Sequence, residues 1–234
     1  MPAYNAAATV EKVFARIPAE VRDRISRYVV VNDGSKDETA AALSRLEKQF
    51  PNLVVLTHPV NRGYGETVKN LLGYALREGA QVGIVLHADG QYSPEKIPEI
   101  LALFDKNEAD IVQGSRMLDG GALRGGMPVY KFVANKILTA IENRAFGMKL
   151  AEYHSGYMAY ARRALETIPF QNLSASFDFD LEMLVLAKVK GLRIAEIAIP
   201  TIYQGEKSHL NPIQYGFDVL SVVRDYKRGK YHAL

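Results

Sequence analysis

The chain contains no cysteine, which removes a disulfide framework, a thiolate zinc site and a cysteine nucleophile together. It has no stretch near the ~20 apolar residues a membrane span needs, and its N-terminus lacks the charged-then-apolar pattern of a secretory signal. A soluble or peripheral protein of a reducing, cytoplasmic compartment is the expectation. An excess of either charge is lacking: 29 Lys and Arg against 26 Asp and Glu leave a net charge of +3, too small to make nucleic acid the main partner. Internal repeats, low-complexity tracts and linkers are missing too, so nothing divides the chain. With 234 residues, 48% hydrophobic and 24% charged, it can bury a full core as a single domain over 1–234.

Apolar segments alternate in type along the first half. Tyr28-Val29-Val30-Val31 is a β-branched run that meets a turn at Asn32-Asp33-Gly34-Ser35. Lys36 to Phe50 has helical spacing, with Leu43, Leu46 and Phe50 on one face. Strands are predicted over Leu53–Thr57, Val82–Leu86 and Ile111–Val112, with helices over Thr67–Glu78 and from Ser93-Pro94 onward. This alternation predicts βαβ units, hence an α/β fold with a mainly parallel sheet flanked by helices. The second half predicts helices from about Pro128 to Phe146, Ser174 to Lys190 and Pro212 to Arg228, and a strand from Leu192 to Ile199.

Such sheets bind ligands at the carboxyl ends of their strands, and that is where the polar clusters fall: Asn32-Asp33 after one strand, His87-Ala88-Asp89 after another. Pro2-Ala3-Tyr4-Asn5 reads as the end of a further strand with almost nothing before it. A first strand in this architecture is central and paired on both sides. The expectation is therefore a chain truncated at, or numbered from within, its first strand, with Pro2 between neighbouring strands.

Four motifs occur in order: Pro2-Ala3-Tyr4-Asn5, Val31-Asn32-Asp33-Gly34-Ser35-Lys36-Asp37, Asn61-Arg62-Gly63-Tyr64-Gly65 and His87-Ala88-Asp89-Gly90-Gln91. Together they resemble the family 2 glycosyltransferases of the GT-A, Rossmann-like fold, in particular the branch of dolichol-phosphate mannosyltransferases and polyprenyl-phosphate glycosyltransferases. The resemblance implies a nucleotide-sugar-binding half over about 1–115 and an acceptor-side half with a C-terminal helix over about 116–234. It implies that Asp33 receives the nucleobase in a pocket lined by Pro2, Tyr4 and Val31; the alternative is an Asx-turn residue holding the loop. It places Asp89 as the last carboxylate of an Asp-x-Asp pattern, holding a divalent cation, Mg²⁺ or Mn²⁺, on the donor diphosphate. His87 stands at the first position of that pattern, as a second metal ligand, a donor contact or a structural histidine. Ala88 and Gln91 belong to the same loop, and Gln91 can hold the sugar or phosphate. Arg116 matches a basic position near the donor, against the alternative of a solvated charge, and Ala6 replaces the family's Glu. The Asn61–Gly65 loop fails the dinucleotide fingerprint, because Val68 stands where the third glycine belongs.

On the acceptor side, Tyr153-His154-Ser155-Gly156-Tyr157 and Ser176-Phe177-Asp178-Phe179-Asp180 resemble the family's corresponding segments. Asp180, or Asp178, is the expected general base of an inverting displacement; the bland alternative is two carboxylates favoured by a helix dipole. Lys207, in Tyr203–His209, resembles a basic loop residue closing on the donor phosphates. The implied activity is transfer of a hexose from UDP- or GDP-hexose to a polyprenyl phosphate, at the cytoplasmic face of a membrane. Rival readings are a glycan hydroxyl acceptor and a nucleotide-sugar-binding protein of little catalytic power. Basic and aromatic residues in Arg224–Tyr231 make that segment the expected point of peripheral membrane contact.

Overall fold

Three consecutive valines, Val29 to Val31, suit a pleated, fully covered strand better than a helix. In the computed structural model, which describes residues 1–201 and 211–234, they lie in β2 (Tyr28–Asp33) with Val30 and Val31 buried. The remaining strands are β1 (Pro2–Ala3), β3 (Leu53–His58), β4 (Val82–Val85), β5 (Ile111–Ser115), β6 (Met158–Ala161) and β7 (Ile194–Ala198). The helices are α1 (Val10–Ala15), α2 (Ala19–Arg22), α3 (Thr39–Gln49), α4 (Tyr64–Arg77), α5 (Ile97–Asp105), α6 (Gly121–Arg124), α7 (Val129–Phe146), α8 (Arg162–Thr167), α9 (Phe179–Val189) and α10 (Pro212–Lys227).

β1, β2 and β3 pair in parallel, as do β5 and β7. The two groups meet where Ala88 N–H donates to Pro2 C=O at 3.3 Å, so Pro2 lies between β2 and the residues that follow β4. That is the central position expected for it. β6 was not foreseen: it inserts antiparallel between β4 and β5, which makes the sheet mixed. Met158-Ala159-Tyr160-Ala161 has no β-branched residue and two alanines, so propensity gives it little strand signal beyond Tyr160.

Successive strand residues face opposite sides of a sheet, and the two apolar cores divide accordingly. Ile111, Met158 and Tyr160 enter one core with Val68, Leu72 and Leu184, while Val112 and Ala159 enter the other with Phe14, Leu43 and Ile100. Helices thus cover both faces: α4, α8, α9 and α10 on one, α1, α3 and α5 on the other.

Three helix starts differ from the periodicity: α3 begins at Thr39, not Lys36, and the other two differ for local reasons. α4 begins at Tyr64, three residues early, because Gly63 (φ +93°) turns the chain into it. α9 begins at Phe179, not Ser174. Ser174 N–H donates to Glu182 Oε2 at 2.6 Å and its hydroxyl to Asp178 Oδ1 at 2.5 Å, so 174–178 form a capping loop.

Candidate active site

The carboxyl ends of β1 and β2 are interlocked. Pro2 and Val31 are register partners, Asn5 N–H donates to Ser35 Oγ at 3.0 Å, and Lys36 N–H donates to Asn5 Oδ1 at 2.8 Å. Tyr4 is half-buried beside them. Asp33, at the end of β2, is buried and accepts from His58 Nδ1 at 2.7 Å and from the backbone N–H groups of Arg62 and Gly63 at 2.9 and 3.2 Å. Its carboxylate therefore sits on the donors that lead into the N-terminus of α4, a favourable place for negative charge. Oδ1 takes two of these bonds and Oδ2 one. The Asp33–Gly34 turn and the Asn61 loop are in contact: a side chain at Gly34 would come within 2.4 Å of Asn61 N.

The loop after β4 carries His87, Ala88, Asp89 and Gln91. Asp89 Oδ1 accepts from Gln91 N–H at 2.9 Å, and Oδ2 has no hydrogen-bond partner among the described residues. His87 packs edge-on to Tyr92 with centroids 4.9 Å apart, and its Nε2 lies 3.3 Å from the Tyr64 hydroxyl. Gly156 closes the far side, since a Cβ there would meet the His87 ring at 2.8 Å. Burial lowers the His87 pKa from its usual value, against the pull of the Asp89 carboxylate.

Asp180, in the first turn of α9, reaches this cluster from the other half of the chain. Its Oδ2 accepts from the Tyr64 hydroxyl at 2.7 Å and its Oδ1 from the Tyr160 hydroxyl at 3.4 Å. Because the Tyr64 proton is committed to Asp180, the Tyr64 oxygen faces His87 as an acceptor, which selects the Nε2–H form of that ring. The result is a chain of contacts from Asp180 through Tyr64 to the Asp89 loop. Burial pushes the Asp180 carboxyl up to about 7, with the two phenols pulling it down.

Asp178 is directed elsewhere. It contacts Ser174 and lines a cavity of about 340 Å³ with Glu182, Asp218, Asp225, Lys230 and Tyr231, on the α10 side. Arg116 is engaged by Glu152: its backbone N–H donates to Glu152 Oε2 at 2.8 Å, its guanidinium grips Oε1, and it also donates to His154 C=O at 2.6 Å. Burial pushes Glu152 up, but the charge and hydrogen bonds of Arg116 outweigh it and hold the carboxyl below its usual range. His154 Nδ1 lies 3.1 Å from the Tyr215 hydroxyl, and Nε2 lies 3.2 Å from the fully buried Glu142 Oε2, out of line for a hydrogen bond. Lys207 lies outside the described residues.

Tyr64, Tyr160, Glu152 and His58 were not singled out from the sequence. Only Tyr64 carried a signal, standing between two glycines of a motif already noted. In the C-terminal segment Tyr231 is buried and donates to Glu182 at 2.7 Å, while the exposed Lys230 pairs with Asp225 at 3.1 Å.

Among the described residues no three His, Asp or Glu side chains gather to hold a metal ion. The donor set instead offers one carboxylate oxygen, Asp89 Oδ2, while His87 Nε2 is turned to Tyr64. A single carboxylate suits a hard cation whose other ligands are phosphate oxygens and water.

The family model for glycosyl transferase family 2 matches residues 1–169. A UDP-N-acetylglucosamine–dolichyl-phosphate N-acetylglucosaminyltransferase of Methanococcus voltae is 28% identical, the alignment covering 98% of this chain and 95% of the relative. A polyprenol monophosphomannose synthase of Mycolicibacterium smegmatis is 27% identical over 85% of this chain and 74% of its own length. Among solved structures, glucosyl-3-phosphoglycerate synthase from Mycobacterium tuberculosis, in complex with Mn²⁺ and UDP-glucose, shares the fold. Its TM-score is 0.67 at 20% identity, covering 95% of this chain and 74% of that one.

Proposed function

Because the chain belongs to glycosyl transferase family 2, we propose that it moves a hexose from a UDP- or GDP-linked donor to a polyprenyl phosphate at the cytoplasmic face of a membrane, with inversion. The names of the two relatives, both acting on lipid-linked phosphates, support the acceptor class. The observation that carries the reading is the chain Asp180–Tyr64–His87, which joins the acidic residue of α9 to the Asp89 loop at the carboxyl end of the sheet.

In this site Pro2, Tyr4 and Val31 line the base pocket, and Asp33 Oδ2 supplies the remaining acceptor toward the base. Asp89 holds the divalent cation, Mg²⁺ or Mn²⁺; that a solved neighbour of the same fold was crystallised with Mn²⁺ and UDP-glucose supports a divalent cation here. When bound there, the cation offsets negative charge on the departing diphosphate. Gln91, Ala88 and Arg116 border the sugar and phosphates, and Lys207 is the further cation proposed for the leaving group. An acceptor phosphate oxygen attacks the anomeric carbon, the bond to the nucleoside diphosphate breaks, and the electron pair leaves with the diphosphate. That oxygen is already largely ionised at neutral pH, its second pKa being about 6, so Asp180 orients through Tyr64 more than it removes a proton.

Incubation of the full chain with UDP-glucose, UDP-N-acetylglucosamine or GDP-mannose, Mn²⁺ and a short-chain polyprenyl phosphate tests this. A glycosyl phosphoprenol product is expected from one donor. Transfer only to sugar hydroxyls would point to a glycan acceptor, and nucleotide binding without turnover to a binding protein; either result contradicts the proposal.

A further inference from the structure

Asp33 stands between two flanks of the sheet. His58 of β3 is its register partner on one side, while Pro2 of β1 pairs with the neighbouring Val31 on the other. The base pocket proposed above lies on the β1 flank, and His58 on the opposite one. His58 is buried, and its Nδ1 lies 2.7 Å from Asp33 Oδ1. Its other ring nitrogen, Nε2, lies 3.4 Å from Asn70 Nδ2 of α4. That amide nitrogen also donates to the Glu66 carbonyl at 2.8 Å, which fixes it as the donor end of the Asn70 side chain. An Nε2–H would therefore face another N–H. The ring proton belongs on Nδ1, and His58 is a donor to Asp33.

A carboxylate has about four lone-pair positions. Oδ1 of Asp33 uses two, on His58 and the Arg62 N–H, and Oδ2 uses one, on the Gly63 N–H. That leaves room for a single further donor. We propose that His58, held in turn by Asn70, is a specificity-determining positioning residue: by filling Asp33 Oδ1 it restricts the base to one N–H and so favours uridine over guanosine diphosphate donors.

The chemistry of the bases decides the direction. Uracil offers one N–H, between its two carbonyls, and a single acceptor satisfies it. Guanine offers N1–H and its 2-amino group side by side, a pair that a carboxylate meets with both oxygens. With Oδ1 filled, one of those two donors is left unpaired where water is excluded, which costs about tenfold in affinity. Cytosine turns the lone pair of its N3 toward the carboxylate, acceptor against acceptor, and is rejected. All of this rests on Asp33 receiving the base, as proposed above; His58 then decides between the two nucleotides that reading leaves open.

Calorimetry of the full chain with UDP, GDP and CDP in Mn²⁺ tests the assignment. Wild type should bind UDP about tenfold or more tighter than GDP, and CDP weakest. His58→Phe keeps a planar ring but loses the donor, so Asp33 is free to turn both oxygens to the base. The ratio of UDP to GDP affinity should then fall by about fivefold or more. His58→Asn, whose amide nitrogen comes near the place of Nδ1, should restore it. GDP or CDP binding as tightly as UDP in the wild type overturns the proposal. So does a His58→Phe chain that weakens UDP and GDP alike, or a ratio that His58→Asn leaves unrestored, because the histidine would then only support the loop. If His58→Phe does not fold, Asn70→Ala carries the test. It releases Nε2 and should narrow the ratio by about twofold or more; an unchanged ratio again overturns the proposal. Asp33→Ala separates the two ideas. Undiminished nucleotide affinity in that variant refutes the base pocket itself, and the role of His58 with it. Lost affinity there, with an unchanged ratio in His58→Phe, keeps the pocket and refutes the role of His58 alone.

Discussion

On the side proposed to bind the donor, Asp33, at the end of β2, directs its carboxylate at His58, at the end of β3, and at two backbone N–H groups of the loop that follows β3. On the side proposed to meet the acceptor, Glu152 and Asp180 face other side chains: Arg116, and Tyr64 with Tyr160. Backbone donors are fixed by the fold itself, so the donor half tolerates change at its partners. A carboxylate satisfied by a side chain is orphaned by one substitution, and a buried orphan charge is costly. The half proposed to bind the nucleotide is built largely from turn chemistry, and the half proposed to face the acceptor from buried side-chain pairs.

The largest expected effect is at Asp89, which offers an oxygen with no partner among the described residues. Asp89→Ala should abolish divalent-dependent nucleotide binding by calorimetry while leaving the fold intact; undiminished Mn²⁺-dependent affinity would refute its role. Next, the two halves should differ in fragility. Arg116→Met leaves the buried Glu152 without its cationic partner, held among the described residues only by Asn135 Nδ2 and the backbone N–H of residue 116, and should cost about 3–5 kcal/mol in denaturant unfolding. Asp33→Asn keeps an acceptor for the backbone donors and should cost about 1–3 kcal/mol. The reverse order would break the comparison.

The same difference explains what the sequence made legible. Asp33, Asp89 and Pro2 were readable because each belongs to a short motif at a strand end, where turn residues and alternation of elements are local signals. The βα units were readable for the same reason. β6 was not, since Met158–Ala161 takes its strand state from pairing with β4 and β5 and not from its own residues. Tyr64 and Asp180 are 116 residues apart in the chain, and Arg116 and Glu152 are 36 apart. No spacing rule joins such pairs; packing of α4 and α9 on the sheet joins the first, and the pairing of β5 with β6 brings the loops of the second together. Of the two candidate bases, the sequence could not tell that Asp180 turns toward Tyr64 and Asp178 toward Ser174, because that depends on where the capping loop ends.

A smaller effect concerns pH. The folded state holds a proton on Asp180 up to about 7, whereas the unfolded chain releases it near the ordinary carboxyl value. The stability linked to that proton is complete below about pH 4 and is lost as pH rises to about 7. Asp180→Asn should remove this slope and be more stable than wild type above pH 7 by roughly 2–4 kcal/mol. An unchanged slope between pH 4 and 7 would show that Asp180 is not the group concerned.

The smallest effect tests the central claim, that the acceptor is a phosphate needing no strong base. It is the turnover of Asp180→Asn, with Asp178→Asn beside it, on a polyprenyl phosphate at saturating donor. Each variant should lose less than about tenfold, because general-base help worth about 10²- to 10⁴-fold is needed only by a hydroxyl. A loss near a thousandfold in either would contradict the account and assign the enzyme a hydroxyl acceptor with a true catalytic base.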